Sequence, residues 1–355
     1  MPVINGLGLL NNRIDAVRDF HNSCGVSKAE LDLSGGIDSA IMAYIITRAI
    51  GPENLILVHT RINTNPEQTK RAESLAKALR AHFVNMNLTP YFENLVSGML
   101  DEMSKTCSTL EIKERLAKDP AILGSIRSTL RAPVGRGFNR IFGGGIRHGT
   151  GNECEDRWLR FYQKGGDGEV DTNPIEMLSK TEVFQLAFTI AENHKGTELE
   201  SLFRELISVK PSPDLWGLGD THNDEDELER WTGVKFTYGR VHPETGAIIS
   251  YGTIEQVSRL LDKTLPTRHS VEDLVFHSSV DTYQQSQRLI LSLAYDGLGH
   301  HGIFTQETSD LYVKDLLAAA RRVEFTTRHK SNNNIPTLGT RQELVNKGLI
   351  TNRLF

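Results

Sequence analysis

Cysteine is scarce in this chain. Cys24, Cys107 and Cys154 are an odd number and have no C-x-x-C spacing. A disulfide framework and a thiolate zinc cage are therefore excluded, and a reducing compartment, the cytoplasm, is expected. Long apolar runs are missing as well. No stretch has the length of a membrane-spanning helix, and the first residues lack the apolar core of a secretion signal. A net charge of only −5 over 355 residues gives no bulk electrostatic reason to expect nucleic acid. What is present, 38 % hydrophobic and 24 % charged residues, suits an ordinary globular protein with a sizeable core.

The most informative stretch is Glu30-Leu-Asp-Leu-Ser34-Gly35-Gly36-Ile37-Asp38-Ser39. It reads as a short strand, a glycine turn and a helix start. The glycines let backbone approach a ligand closely, and a helix N-terminus presents unpaired N–H groups to an anion. The string lacks the G-K-[ST] ending of a Walker A loop and the G-x-G-x-x-G of a dinucleotide turn. Asp38 would repel a phosphate unless a cation lay between them, which points to Mg²⁺ shared by carboxylate and phosphate oxygens. The string resembles the PP-loop of the N-type ATP pyrophosphatases.

Around it the pattern alternates. A lead-in helix covers residues 9–25, a strand Ala29–Leu33, and a helix about Asp38–Ala49. A buried strand follows at Leu55–His59, a helix from Pro66 to about Ala81, and a third strand at His82–Leu88. This β-α-β-α-β order predicts a doubly wound parallel sheet with ligand at the strand carboxyl ends. Residues 90–131 read as helical with a break near Ser104–Thr109. The glycine- and arginine-rich stretch 132–152 reads as loop with a short strand near Ile141. Helices are expected over Glu153–Tyr162 and Lys180–Glu192, a hairpin over 235–251, and a largely helical segment from 252 to the end. The chain is expected to form one domain, with its core in about 1–230 and insertions at 233–251 and 262–328.

Later strings fall in the order found in the NAD synthetase family. Gly149-Thr150-Gly-Asn-Glu-Cys-Glu155 resembles GTxNxxE, and Lys164-Gly-Gly-Asp167-Gly-Glu-Val-Asp171 resembles KYGDGxxD. Asn173-Pro174 with Lys180, Val209-Lys-Pro-Ser212-Pro-Asp214-Leu, Asp224-Glu-Asp-Glu-Leu228 and His329-Lys330 resemble further family motifs. The resemblance implies a Rossmann-like fold and an ammonia-dependent ligase that turns deamido-NAD into NAD with ATP and Mg²⁺. It implies a homodimer, to which the apolar face of the lead-in helix would contribute. It implies that Asp38 and Glu155 hold the metal, with Asp156 as a rival because the chain has one residue more here than the family. ATP would meet Ser34, Gly35, Gly36, Ile37, Asp38, Ser39, Thr150, Lys180 and Ser212. Deamido-NAD would meet Lys164, Asp171, His329, Lys330 and Arg131, with Arg127 in reserve. Asp38, Lys180 and Asp171 are the candidate catalytic residues.

The alternatives are another PP-loop enzyme, of the GMP synthetase or tRNA-modifying kind, and a nucleotide-binding regulator without catalysis. Only 33 residues precede Ser34, too few for a glutaminase domain, so free ammonia is the expected nitrogen source.

Overall fold

The computed structural model describes residues 4–119, 121–159, 162–212 and 338–351, with a few positions between 223 and 250. His329, Lys330 and the 262–328 insertion lie outside the described residues.

Four parallel strands form the central sheet in the order β3-β2-β1-β4, with β1 Ala29–Asp32, β2 Leu55–Arg61, β3 His82–Asn87 and β4 Ile146–His148. The chain steps outward from β1 through β2 to β3, then returns to the other side of β1. That reversal opens a crevice at the carboxyl ends of β1 and β4, where ligands of doubly wound sheets bind.

The helix after the glycine turn, α2 (Ile37–Ile50), is buried almost all round from Ala40 to Ile46. It packs against α1 (Gly6–Cys24) and against α7 (Lys180–Asn193). Leu9, Leu10, Ile14 and Val17 of α1 lie in this core. The apolar face expected to serve a subunit contact is therefore consumed inside the chain. α3 (Pro66–Leu79) starts on an Asn65 cap, and α8 (Glu198–Ser208) packs against both α3 and α7. The segment 338–351, with α9 (Arg341–Asn346), returns to the core. There the Arg341 guanidinium donates to both Glu182 carboxylate oxygens at 2.8 and 2.7 Å.

The expected break in the 90–131 region separates α4 (Thr89–Met103) from α5 (Thr109–Lys118). The stretch 132–152 differs from expectation. α6 runs from Ala121 through Pro133 to Ile141, and the strand comes later, at Ile146. The helix stops at Gly143 and Gly144, both at positive φ, where the Gly144 N–H caps back onto the Asn139 carbonyl at 2.9 Å. The expected helix after Glu153 is a seven-residue π-helical turn, Glu153–Leu159. Such a turn absorbs one extra residue without shifting what precedes it. The expected hairpin is represented by the antiparallel pair β5 (Arg240–Val241) and β6 (Ile248–Ser250). Among the described residues, no helix is long and apolar enough to cross a membrane.

Candidate active site

The glycine turn leaves β1 at Leu33, whose N–H donates to the Val58 carbonyl at 2.8 Å. Gly35 has φ +85°, and a Cβ there would collide with the Gln68 carbonyl of α3, so only glycine fits. Arg71, also on α3, donates through Nε to the Gly35 carbonyl at 3.0 Å and fixes the turn from outside. Inside it, the Ser34 and Ser39 hydroxyls lie 2.9 Å apart, and the Gly36 N–H donates to Ser34 Oγ at 3.1 Å. Gly36 caps α2 without a side chain, so the first N–H groups of that helix face the crevice.

Beside this cradle two carboxylates meet one ammonium. Lys180 Nζ donates to Asp38 Oδ2 at 2.7 Å and to Glu155 Oε1 at 2.8 Å, with its side chain 1 % exposed. Burial acts to strip the lysine of its proton, but Asp38, Glu155 and Asp224 outweigh it and hold its pKa well above the usual lysine range. Glu155 is pushed up, first by burial and then by the Asp38 charge, with Lys180 opposing. Asn152 organises both acids. Its Nδ2 donates to Asp38 Oδ1 at 3.1 Å, and its Oδ1 accepts from the Cys154 and Glu155 N–H groups at 3.0 and 3.2 Å. Sequence reading left Asn152 without a role, although it stands inside the GTxNxxE-like string.

Asp156, the rival to Glu155, turns the other way. Its Oδ2 accepts from Asn173 Nδ2 at 2.6 Å, and its carboxyl lies against Gly151. Among the described residues no group of three metal-ligating side chains occurs. Two carboxylates are nonetheless a fitting donor set for Mg²⁺ that takes its remaining ligands from substrate phosphates and water. The Lys180 ammonium shows that a cation is accommodated between them.

The cleft over these groups holds about 320 Å³. One wall is the cradle with Val58, His59 and Thr60 from β2. The opposite wall brings Ser125, Ser128 and Arg131 from α6 against Tyr162, Gln163 and Asp167. Ser128 Oγ donates to Asp167 Oδ1 at 2.8 Å, and Ser125 Oγ to Gln163 Oε1 at 3.0 Å, so the loop after the π-helical turn is docked on α6. Arg131 faces the cleft, whereas the reserve candidate Arg127 is buried over the Phe92 ring at 5.2 Å. Thr150 and Ser212 line the cleft. Asp224, from the acidic Asp224–Leu228 string, lines it too.

Two sequence candidates stand apart from it. Lys164 is exposed and does not line the cleft. Asp171 Oδ2 accepts from the Arg147 backbone N–H at 2.8 Å, which commits that carboxylate to the end of β4. Gln68, Arg71 and His59 escaped sequence reading because they sit in an ordinary amphipathic helix and a buried strand, and only tertiary packing brings them to the turn.

The family model described as NAD synthase matches residues 9–234. The NH(3)-dependent NAD(+) synthetase of Archaeoglobus fulgidus is 30 % identical over 255 residues, covering 70 % of this chain and 81 % of that protein. The protein of that name from Methanococcoides burtonii is 28 % identical over 216 residues, covering 61 % of this chain and 72 % of its own. Among solved structures, the NMN synthetase from Francisella tularensis superposes with a TM-score of 0.53 at 18 % identity, over 81 % of this chain and 93 % of that one, a likeness of fold. The matched segment carries the glycine turn, both carboxylates and the buried lysine, and on that match this chain belongs to the NAD synthase family.

Proposed function

We propose that this chain makes NAD from deamido-NAD, ATP and ammonia. The observation that carries the reading is the meeting of Asp38, Glu155 and Lys180 beside an open anion cradle. In the first half-reaction a nicotinate carboxylate oxygen attacks the α-phosphorus of ATP. A P–O bond forms, the bond to the bridging oxygen breaks, and pyrophosphate leaves. In the second, ammonia attacks the acyl carbon, AMP departs with the bonding pair, and nitrogen loses a proton. Negative charge gathers on phosphate oxygens in the first step and on a tetrahedral oxygen in the second, so fixed donors matter most.

The cradle N–H groups, Ser34, Thr150 and Ser212 hold the phosphates. Lys180 supplies the positive charge beside them. Asp38 and Glu155 would hold Mg²⁺, which neutralises phosphate charge when bound. Arg131 faces the dinucleotide. The other PP-loop reactions are not favoured, since the similar proteins carry the name of NH(3)-dependent NAD(+) synthetases.

A homodimer belongs to the same reading, with a different surface from the one first expected. Tyr91, Leu95, Met99 and Met103 are exposed at four-residue spacing along one face of α4. Light scattering should give a dimer, and Leu95→Glu with Met99→Glu should halve the mass; a monomeric wild type would remove this part.

The activity test is a substrate panel. Purified protein with ATP and Mg²⁺ is given deamido-NAD, xanthosine monophosphate or tRNA, with ammonium chloride or ammonia-free glutamine. AMP and NAD should appear with deamido-NAD and ammonium. AMP release driven by either other acceptor, or equal NAD from glutamine, would overturn the reading.

A further inference from the structure

An anion cradle needs its backbone N–H groups turned to the ligand, so each peptide of the turn must be held the right way round. Arg71 holds the Gly35 carbonyl from α3. A second carbonyl, that of Leu33 just before the turn, lies 2.7 Å from Nδ1 of His59 on β2. A carbonyl only accepts, so Nδ1 carries a proton. In the neutral ring Nε2 then accepts from the hydroxyl of Thr69 on α3, 3.0 Å away. The two partners together set the tautomer. His59 is buried, and its ring stacks beside Phe83 of β3 with centroids 6.4 Å apart. A polar ring in a parallel strand covered on both faces departs from the usual apolar run, and here its polar atoms are spent on the turn and on α3.

What this bond fixes is the far side of the same peptide. Among the described residues no peptide bond is cis, and in a trans peptide the N–H points opposite to the C=O. With the Leu33 carbonyl turned to His59 of β2, the Ser34 N–H is turned toward the β4 side of β1. Thr150, just past β4, lines the cleft on that side. We infer that His59 is a positioning residue for the phosphate cradle. Its Nδ1–H holds the Leu33 carbonyl and thereby aims the Ser34 N–H at the phosphates of ATP, and Thr69 selects the tautomer that can do so. The other tautomer would set a lone pair against the carbonyl, and the peptide could then turn its oxygen to the anion. The inference rests on the reading of this cleft as an ATP site.

The test uses the full chain and is read by Mg²⁺-ATP binding at equilibrium and by steady-state kinetics. An asparagine amide nitrogen can stand where Nδ1 stands, whereas that of glutamine reaches the place of Nε2. His59→Asn should therefore keep ATP affinity within about threefold of wild type, and His59→Gln should weaken it about tenfold, as loss of one hydrogen bond to a charged group does. Both should leave the deamido-NAD KM within about twofold, because the cradle grips phosphate and not the acceptor. Thr69→Val, which removes the tautomer's second partner and leaves the ring in place, should weaken ATP binding by an intermediate amount. It carries the test if His59→Gln does not fold. Equal losses in His59→Asn and His59→Gln, as a merely structural ring would give, overturn the inference, and so does unchanged ATP affinity in folded His59→Gln or Thr69→Val. A wild type that binds no Mg²⁺-ATP refutes the ATP-site reading, and the inference falls with it. One that binds ATP and makes no NAD refutes only the choice of acceptor, and the ATP affinities still decide.

Discussion

Two buried clusters in this chain share one inventory, two acidic side chains and a base, and hold it in different ways. Around Lys180, the acids arrive from the glycine turn and the π-helical turn, and the base is a point charge on a flexible stem. Around Arg147, the base is a planar fork that grips Glu30 and Asp32 at once, inside the sheet. An ammonium can release one partner as another cation or a phosphate arrives; a two-pronged guanidinium gives up its geometry if it lets go. The two clusters therefore differ in how readily their base could change partners.

The largest effect that separates them comes from deleting each base. Lys180→Met should lower AMP formation from ATP about a hundred- to a thousandfold, the range for losing a key charge-stabilising donor. It also leaves Asp38 and Glu155 facing each other, and such a pair recruits a divalent cation. Melting of Lys180→Met should therefore rise with added Mg²⁺ more steeply than melting of the wild type. Arg147→Met should show no such rescue, because Glu30 is fully buried. Equal Mg²⁺ dependence in the two variants would erase the distinction.

A smaller effect sharpens the first cluster. Glu155→Gln should raise the Mg²⁺ concentration for half-maximal AMP formation about tenfold or more. Asp156→Asn should leave it within about twofold, since that carboxylate bonds Asn173 and not the Asp38 side. The reverse pattern would move the metal ligand one residue along.

Much of this was legible in the chain. Strand–turn–helix periodicity gave β1 to β3 with their helices, and the Ser34–Ser39 string located the cradle, because backbone conformation there follows from local residue type. Lys180 was legible through its register with Asn173-Pro174. Contacts made across the sheet were not. Arg147 lies 115 residues after Asp32 and 117 after Glu30, so nothing local signals their meeting. Gly135 read as loop because glycine marks either a turn or a close approach, and only the packed partner tells which. Lys164 and Asp171 came from motif register alone, which fixes order along the chain but not direction in space.

The smallest effect concerns the second cluster and is read by stability. Burial first, and Asp32 next, push the Glu30 carboxyl up to about 8, with Arg147 opposing. In the unfolded chain the same group titrates near 4. Between those values the folded state keeps a proton that the unfolded state has lost. The stability this contributes is complete below the unfolded value and is lost as pH rises through the folded one, at no more than about 1.4 kcal/mol per pH unit. Glu30→Gln keeps the size and a hydrogen-bonding amide but cannot titrate. Wild type and variant should have similar urea midpoints in mild acid. The wild type should then fall progressively behind as the pH rises, and the gap should level off above about 8. Parallel curves would mean that Glu30 is ionised in the folded protein and that Arg147 grips two carboxylates rather than one. That would leave the cluster with a net negative charge beneath the cleft.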